Sequence, residues 1–291
     1  MKVAIHGRKF DEETQPFITE VFSELKKHEV KVLVSEKFYK NLKQSGDFND
    51  NIEIYSNEED LNELDYFISL GGDGTLLETV TYIGAREIPI LGINTGRLGF
   101  LATTPKTNIA AAIDALANNY LKIESRSLIK LESDQGIFGD KAYALNEFAI
   151  LKKDTSAMIV VHSYIDGEYL NSYWSDGLIV STPTGSTGYS LSCGGPVVLP
   201  TSNNFIITPI SPHNLNVRPM IVSDESVISF EIEGRSNNFL VSLDSRSCTV
   251  DSSIQMAVKK ESFKVKLIKL DGYNFLNTLR QKLNWGLDLR N

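Results

Sequence analysis

One carboxylate set among three glycines, Gly71-Gly72-Asp73-Gly74, with Thr75 directly after it, is the stretch whose residue types and spacing most suggest chemistry. Glycines let a backbone turn sharply and come close to a ligand, and a helix that starts near Thr75 would add N–H groups that attract phosphate. Asp73 would then be placed to handle a proton. The stretch is not a P-loop, because no Gly-Lys-Ser/Thr follows, and the dinucleotide fingerprint G-x-G-x-x-G does not fit it either. Read alone, it also describes a tight strand-to-helix connection in which Asp73 and Thr75 serve as caps.

Two further stretches carry candidate groups. From Asp176 to Pro196 the chain packs hydroxyls, glycines and Tyr189 behind an apolar run. Such a loop offers neutral donors and acceptors for ribose hydroxyls and phosphates, and an aromatic face for a base. Asn146-Glu147 interrupts the alternating run Tyr143 to Ile150 with a side-chain amide and a carboxylate, which can read a base edge or a sugar's hydroxyl pair. An exposed strand face would account for these two residues as well. His6, His28 and His162 show no metal-ligand spacing, and Cys193 has no sequence sign of a nucleophile's base.

The elements that must hold these groups follow from hydrophobic period. Up to about residue 123, short apolar runs (Val3–Ile5, Val30–Val34, Asp65–Leu70, Ile88–Ile93) alternate with helical spacing over 16–27, 75–85 and 109–118. That alternation predicts an α/β nucleotide-binding domain with a mostly parallel sheet, and ligands in such sheets sit beyond the carboxyl ends of the strands, where Gly71 to Gly74 falls. From 124 to 270 the period becomes two. The runs 158–165 and 168–174 flank the turn Asp166-Gly167, and others follow at 177–181, 205–208, 226–232, 239–243 and 263–270, which predicts a mostly-β second domain. The segment 271–291 returns to helical spacing through Phe275, Leu276, Leu279 and Leu283 and is expected to pack back on the first domain.

A chain of 291 residues with 42% apolar and 23% charged residues is ordinary for a globular protein, and its length suggests two domains. A net charge of −8 speaks against a nucleic-acid partner. No apolar run is long enough to span a membrane, and the N-terminal strand pattern is too brief for a signal peptide's apolar core. Cys193 and Cys248 are too few for a disulfide framework, so the expected setting is the reducing cytoplasm.

Taken together, Gly71-Gly72-Asp73-Gly74, Asn146-Glu147 and the Thr182 to Ser192 motif resemble the NAD kinase family, which phosphorylates the 2′-hydroxyl of the adenosine ribose of NAD. Asn94 to Leu101 is similar to that family's turn after its fourth strand, Ser211 to Leu215 with Arg218-Pro219 to its β-domain segment, and Leu279 to Trp285 to its final helix. The resemblance implies ATP as phosphoryl donor, a divalent metal ion, Mg²⁺, and Asp73 as general base. It assigns NAD binding to Asp73, Gly74, Asn146, Glu147, Asp176, Thr187, Gly188, Tyr189, Ser190, Leu191 and Ser192. Phosphate binding falls to Gly71, Gly72, Gly74, Thr75 and Arg97, and the assembly would be a homodimer or homotetramer. Two positions depart from the family's pattern: Asp244-Ser245-Arg246 stands where it often shows Asp-Gly-Gln, and Gly188 stands where many members carry Ala. A diacylglycerol-type lipid kinase, which shares Gly-Gly-Asp-Gly-Thr, has no role for Asn146-Glu147, and a non-catalytic NAD(P)-binding sensor has no role for Asp73.

Overall fold

A computed structural model describes residues 1–44, 52–56, 59–153 and 157–286, so the end of the segment expected to be helical, 287–291, lies outside the described residues. The chain divides into two units, Met1–Ser125 with Val265–Asn291, and Arg126–Lys264.

In the first unit, β1 (Lys2–Gly7), β2 (Lys31–Ser35), β3 (Glu53–Tyr55), β4 (Tyr66–Leu70), β5 (Ile90–Asn94), β6 (Thr104–Pro105) and β7 (Lys122–Arg126) share one sheet with the returning strand Val265–Lys269. The order is β3-β2-β1-β4-β5, then Val265–Lys269, then β7, with β6 beside β5. Parallel pairing joins β3 through β5, and Leu267 also lies parallel to Ile90. The strands read as continuous apolar runs because helices cover them: α1 (Gln15–Lys27) buries Ile18, Val21 and Leu25, and α4 (Ile109–Ala117) buries Ile109, Ala112, Ile113 and Leu116. The run expected as a β-domain strand at 263–270 thus joins the first unit's sheet instead. Period-two patterning gives a strand but not its partners, since pairing is non-local. Helix α2 (Glu36–Gln44), which the apolar-run reading passed over, buries Phe38 and Leu42.

Strand order reverses at β1, which has β2 on one side and β4 on the other. Such a switch point opens a crevice at the carboxyl ends of the two strands. The residues there are Gly7-Arg8 and Gly71-Gly72-Asp73, the last of which begins α3 (Asp73–Ile83). Just behind them His6 is fully buried. Its Nε2 lies 3.0 Å from Glu78 Oε2 and its Nδ1 2.9 Å from Ser35 Oγ. Arg8 Nε donates to the same Glu78 oxygen at 3.0 Å, and Lys37 Nζ to the other at 3.3 Å.

Burial alone would raise the Glu78 carboxyl, but hydrogen bonds from Arg8 and His6, with the charge of Arg8, outweigh it and hold the group down at about 2. A carboxyl so depressed contributes stability above its unfolded value near 4.5 and loses it as the pH falls toward 2. Glu78→Gln is therefore expected to cost about 1–2 kcal/mol at neutral pH, after discounting for solvent screening. Its thermal melts should converge on those of the unaltered chain as the pH is lowered from about 4.5 toward 2.

The second unit is two six-stranded antiparallel sheets. One has the order β15 (Met220–Ser223), β14 (Asn204–Ile210), β13 (Gly177–Ser181), β10 (Glu147–Lys152), β17 (Asn238–Leu243), β18 (Arg246–Asp251). The other runs β12 (Glu168–Ser175), β11 (Ile159–Ile165), β16 (Ile228–Gly234), β19 (Met256–Lys260), β8 (Ile129–Ser133), β9 (Tyr143–Ala144). Their apolar faces share a core in which the Phe148 and Phe230 rings stack at 5.3 Å between centroids. Asp166 and Gly167 both have positive φ, 52° and 85°, as a two-residue hairpin turn requires.

Candidate active site

In the first unit the site is built on Asp73. Its Oδ2 accepts the backbone N–H of Phe100 at 2.8 Å, and its Oδ1 accepts those of Leu101 and Ala102, each at 3.0 Å. These donors come from the turn after β5, which Asn94 shapes: Asn94 Nδ2 donates to Arg97 O at 2.6 Å and its Oδ1 accepts from Gly96 N at 2.8 Å. From the other side Lys282 donates to Leu98 O at 2.9 Å, and buried Lys269 reaches Thr103 Oγ1 at 3.0 Å. Gly99 is required by close approach, since a Cβ there would stand 1.9 Å from Asp73 Oδ1.

Gly71 takes φ +147°, and any side chain on it would run into Thr75 Oγ1 at 2.4 Å. Thr75 is itself buried beneath that turn. A Cβ on Gly72 would meet nothing within 4 Å, so the backbone at the N-cap of α3 is open. The first N–H groups of a helix have no partners within it and draw anions. Arg8, which the sequence reading did not single out, stands over this loop with Nη2 donating to Gly74 O at 3.2 Å. Arg97 is exposed.

In the second unit Asn146 and Glu147 stand at the start of β10, and the Thr182 to Ser192 loop lies against them. Thr182 N donates to Asn146 O at 2.9 Å and Thr182 Oγ1 to Leu145 O at 2.6 Å. A Cβ on Gly185 would fall 2.1 Å from Asn146 O. The density of hydroxyls in this loop led to the expectation that they would serve a ligand, yet several turn inward to hold the loop. Ser186 Oγ bonds Pro183 O at 2.7 Å and accepts from Val198 N at 3.0 Å, and buried Ser190 pairs with Thr208 Oγ1 at 2.8 Å. Thr187, Gly188 and Leu191 are half-buried, while Ser192 and the Tyr189 ring at the start of α5 (Tyr189–Ser192) are exposed. Asp176 is paired with Lys152 at 2.6 Å, a partner the sequence did not announce.

Asp244 takes the place of a structural latch. It accepts from the backbone N–H of Leu145 at 2.9 Å, Asn146 at 2.7 Å and Glu147 at 3.3 Å. Arg246 donates to the carbonyls of Lys141 and Tyr143 and lies over the Phe138 and Tyr143 rings, which fastens the segment leading to Asn146. Ser245, where the family often has Gly, is not among the described residues with positive φ, so a side chain there carries no backbone strain. Among the described residues no group of three His, Cys, Asp or Glu is arranged to hold a metal ion, and no helix is long and apolar enough to cross a membrane.

This geometry has relatives. The family described as the ATP-NAD kinase N-terminal domain matches residues 3–120, and that described as the ATP-NAD kinase C-terminal domain matches residues 145–270. The chain is 57% identical over 292 residues to the NAD kinase of Cytophaga hutchinsonii and 44% identical over 294 residues to that of Flavobacterium psychrophilum, each match covering all of both chains. Among solved structures it is similar to yeast NADH kinase complexed with NADH, with TM-score 0.89 and 25% identity over 100% of this chain and 89% of that one. It is also similar to an NAD kinase from Archaeoglobus fulgidus in complex with ATP, with TM-score 0.77 and 29% identity over 98% and 99% of the two chains. With both domain patterns matched and whole-chain identity this high, the chain belongs to the NAD kinase family.

Proposed function

We propose that Asp73 accepts the proton of the 2′-hydroxyl on the adenosine ribose of NAD as that oxygen attacks the γ-phosphorus of ATP, giving NADP and ADP. The observation that carries this reading is the state of the Asp73 carboxylate. Of its roughly four lone-pair positions, three are filled by the N–H groups of Phe100, Leu101 and Ala102, and one remains on Oδ2 for a hydroxyl. The three amides hold the carboxylate still, and an oriented base within hydrogen-bond reach both aims the hydroxyl and takes its proton.

The backbone of Gly71, Gly72 and Gly74 at the start of α3 receives phosphate, with Arg97 as a further contact and buried Thr75 supporting the turn. Asn146 and Glu147 bind NAD, Asp176 serves its nicotinamide half, and Thr187 to Ser192 line the adenosine, with Tyr189 offering its ring and buried Ser190 supporting the loop from within through Thr208. Magnesium belongs to the substrate as MgATP, since Mg²⁺ takes much of its coordination from water and nucleotide phosphates. The cytoplasm suits a chain with two unbridged cysteines. Family resemblance supports a homodimer or homotetramer, with no membrane or nucleic acid as partner.

Incubation with NAD and MgATP tests the reading: NADP carrying its new phosphate on the 2′-hydroxyl is expected. Tight NADP binding without NADP formation would instead mark a sensor, and phosphate transfer to diacylglycerol would mark a lipid kinase.

A further inference from the structure

Two carboxyl groups share one buried corner of the second unit. Glu147 Oε2 is buried and meets no hydrogen-bond partner among the described residues, and it lies 3.1 Å from where a Cβ on Gly188 would stand. Asp244, on the turn between β17 and β18, also bonds back to this residue, its own N–H donating to Glu147 O at 3.0 Å. The partners of the two acids differ. Asp244 accepts three backbone N–H bonds and has Arg246 two residues on, whereas Glu147 has only the Tyr189 backbone N–H from α5 to favour its charge. On the neighbouring strand β13, Ser181 pairs with Glu147 and brings no charge. Tyr189 lies within electrostatic reach of it, as it does of Cys193 and Asp176, and its phenol is raised chiefly by burial.

We propose that the corner holds one proton, so that charged Asp244 fixes the Leu145–Glu147 backbone while protonated Glu147 gives the dinucleotide a hydrogen-bond donor. The proposal rests on the reading that Asn146-Glu147 binds NAD. A carboxyl group taken from water without a partner for its charge keeps its proton, and a second acid nearby strengthens that tendency. Burial, with the charge of Asp244 added, pushes the Glu147 carboxyl up to about 8, so the donor is present at neutral pH and is lost as the pH rises through that value. Asp244 is raised by burial as well, opposed by its three amide donors and Arg246; three N–H groups aimed at its oxygens favour its charged form, and Glu147 Oε2 has no such donor among the described residues. The missing Cβ at Gly188 leaves the Glu147 oxygen room on the loop side.

The test is the KM for NAD at saturating MgATP, followed from about pH 6.5 to 9.5 in the unaltered enzyme and in Glu147→Gln, Glu147→Ala and Asp244→Asn. Loss of a donor to a polar ligand is expected to raise the unaltered enzyme's KM about tenfold between neutral pH and the alkaline end, with its midpoint near 8. Glu147→Gln keeps a neutral donor. It should raise KM about threefold at neutral pH and show no alkaline rise, whereas Glu147→Ala should raise KM about tenfold or more throughout. Asp244→Asn removes the neighbouring charge and should move the midpoint to lower pH. A flat profile for the unaltered enzyme, with Glu147→Ala still impaired, would overturn the proposal and leave NAD binding by Glu147 standing. Normal KM in Glu147→Ala at every pH would overturn the binding reading itself. The Glu147 variants decide both questions even if Asp244→Asn fails to fold.

Discussion

Asp73→Asn is expected to lower kcat for NADP formation on the order of a thousandfold, within the range that removal of a general base reaches. The structure shows why folding should survive. Asparagine keeps one oxygen, which can still accept the N–H groups of Leu101 and Ala102, and turns its amide nitrogen toward the N–H of Phe100. One lost hydrogen bond costs about 1 kcal/mol, which for a chain of this size lowers Tm by a few degrees. KM values for NAD and ATP should change by about threefold or less, because the lone pair in question binds ground state and transition state unequally. A circular-dichroism melt beside the steady-state assay separates the chemical loss from the structural one.

The second large effect falls on a residue that contacts no substrate in this account. In Gly99→Ala the new Cβ would stand 1.9 Å from Asp73 Oδ1 and 2.6 Å from the carboxyl carbon, so the carboxylate or the turn must shift. The turn is held from behind by Lys282 at Leu98 and by Lys269 at Thr103, which leaves the carboxylate to move. A displacement of that order at a base costs about a hundredfold in rate. Gly96→Ala is the control within the same turn, since its Cβ would meet nothing within 4 Å, and it should leave kcat within about twofold. If Gly99→Ala kept full activity, the amide cradle would have no part in positioning Asp73.

Much of this architecture could be read from residue order, for reasons that differ by element. Val3–Ile5, Asp65–Leu70 and Ile88–Ile93 read as strands because a parallel sheet covered by helices buries its central positions, so most of them are apolar and the polar exception, Ser69, is itself buried. The hairpin at Asp166-Gly167 was legible because that pair tolerates the positive φ the turn imposes. Helix α2 was not, since Phe38 and Leu42 are its only buried residues among nine. The strand Val265–Lys269 alternated like its predecessors, and nothing local says that it crosses to Ile90 rather than to a β-domain neighbour.

At the site, glycine spacing marked Asp73, but the amides that orient it lie 27 to 29 residues away and are backbone groups, which no side-chain pattern reveals. Hydroxyl density marked the Thr182 to Ser192 loop, while the inward direction of the Thr182, Ser186 and Ser190 hydroxyls depended on Leu145, Val198 and Thr208, which come from elsewhere in the chain. Asp244 stood out only as part of a departure from a family pattern. Its three bonds to Leu145–Glu147 show what the retained aspartate does, and Arg246 bonds to protein carbonyls rather than standing free.

The claim that Asp73 is the base is tested most directly by single-turnover phosphoryl transfer, with NAD prebound and MgATP mixed in at saturation, because this isolates the chemical step from product release. The first-order rate for Asp73→Asn is expected to be lower on the order of a thousandfold than that of the unaltered enzyme. A rate for Asp73→Asn close to that of the unaltered enzyme would contradict that claim.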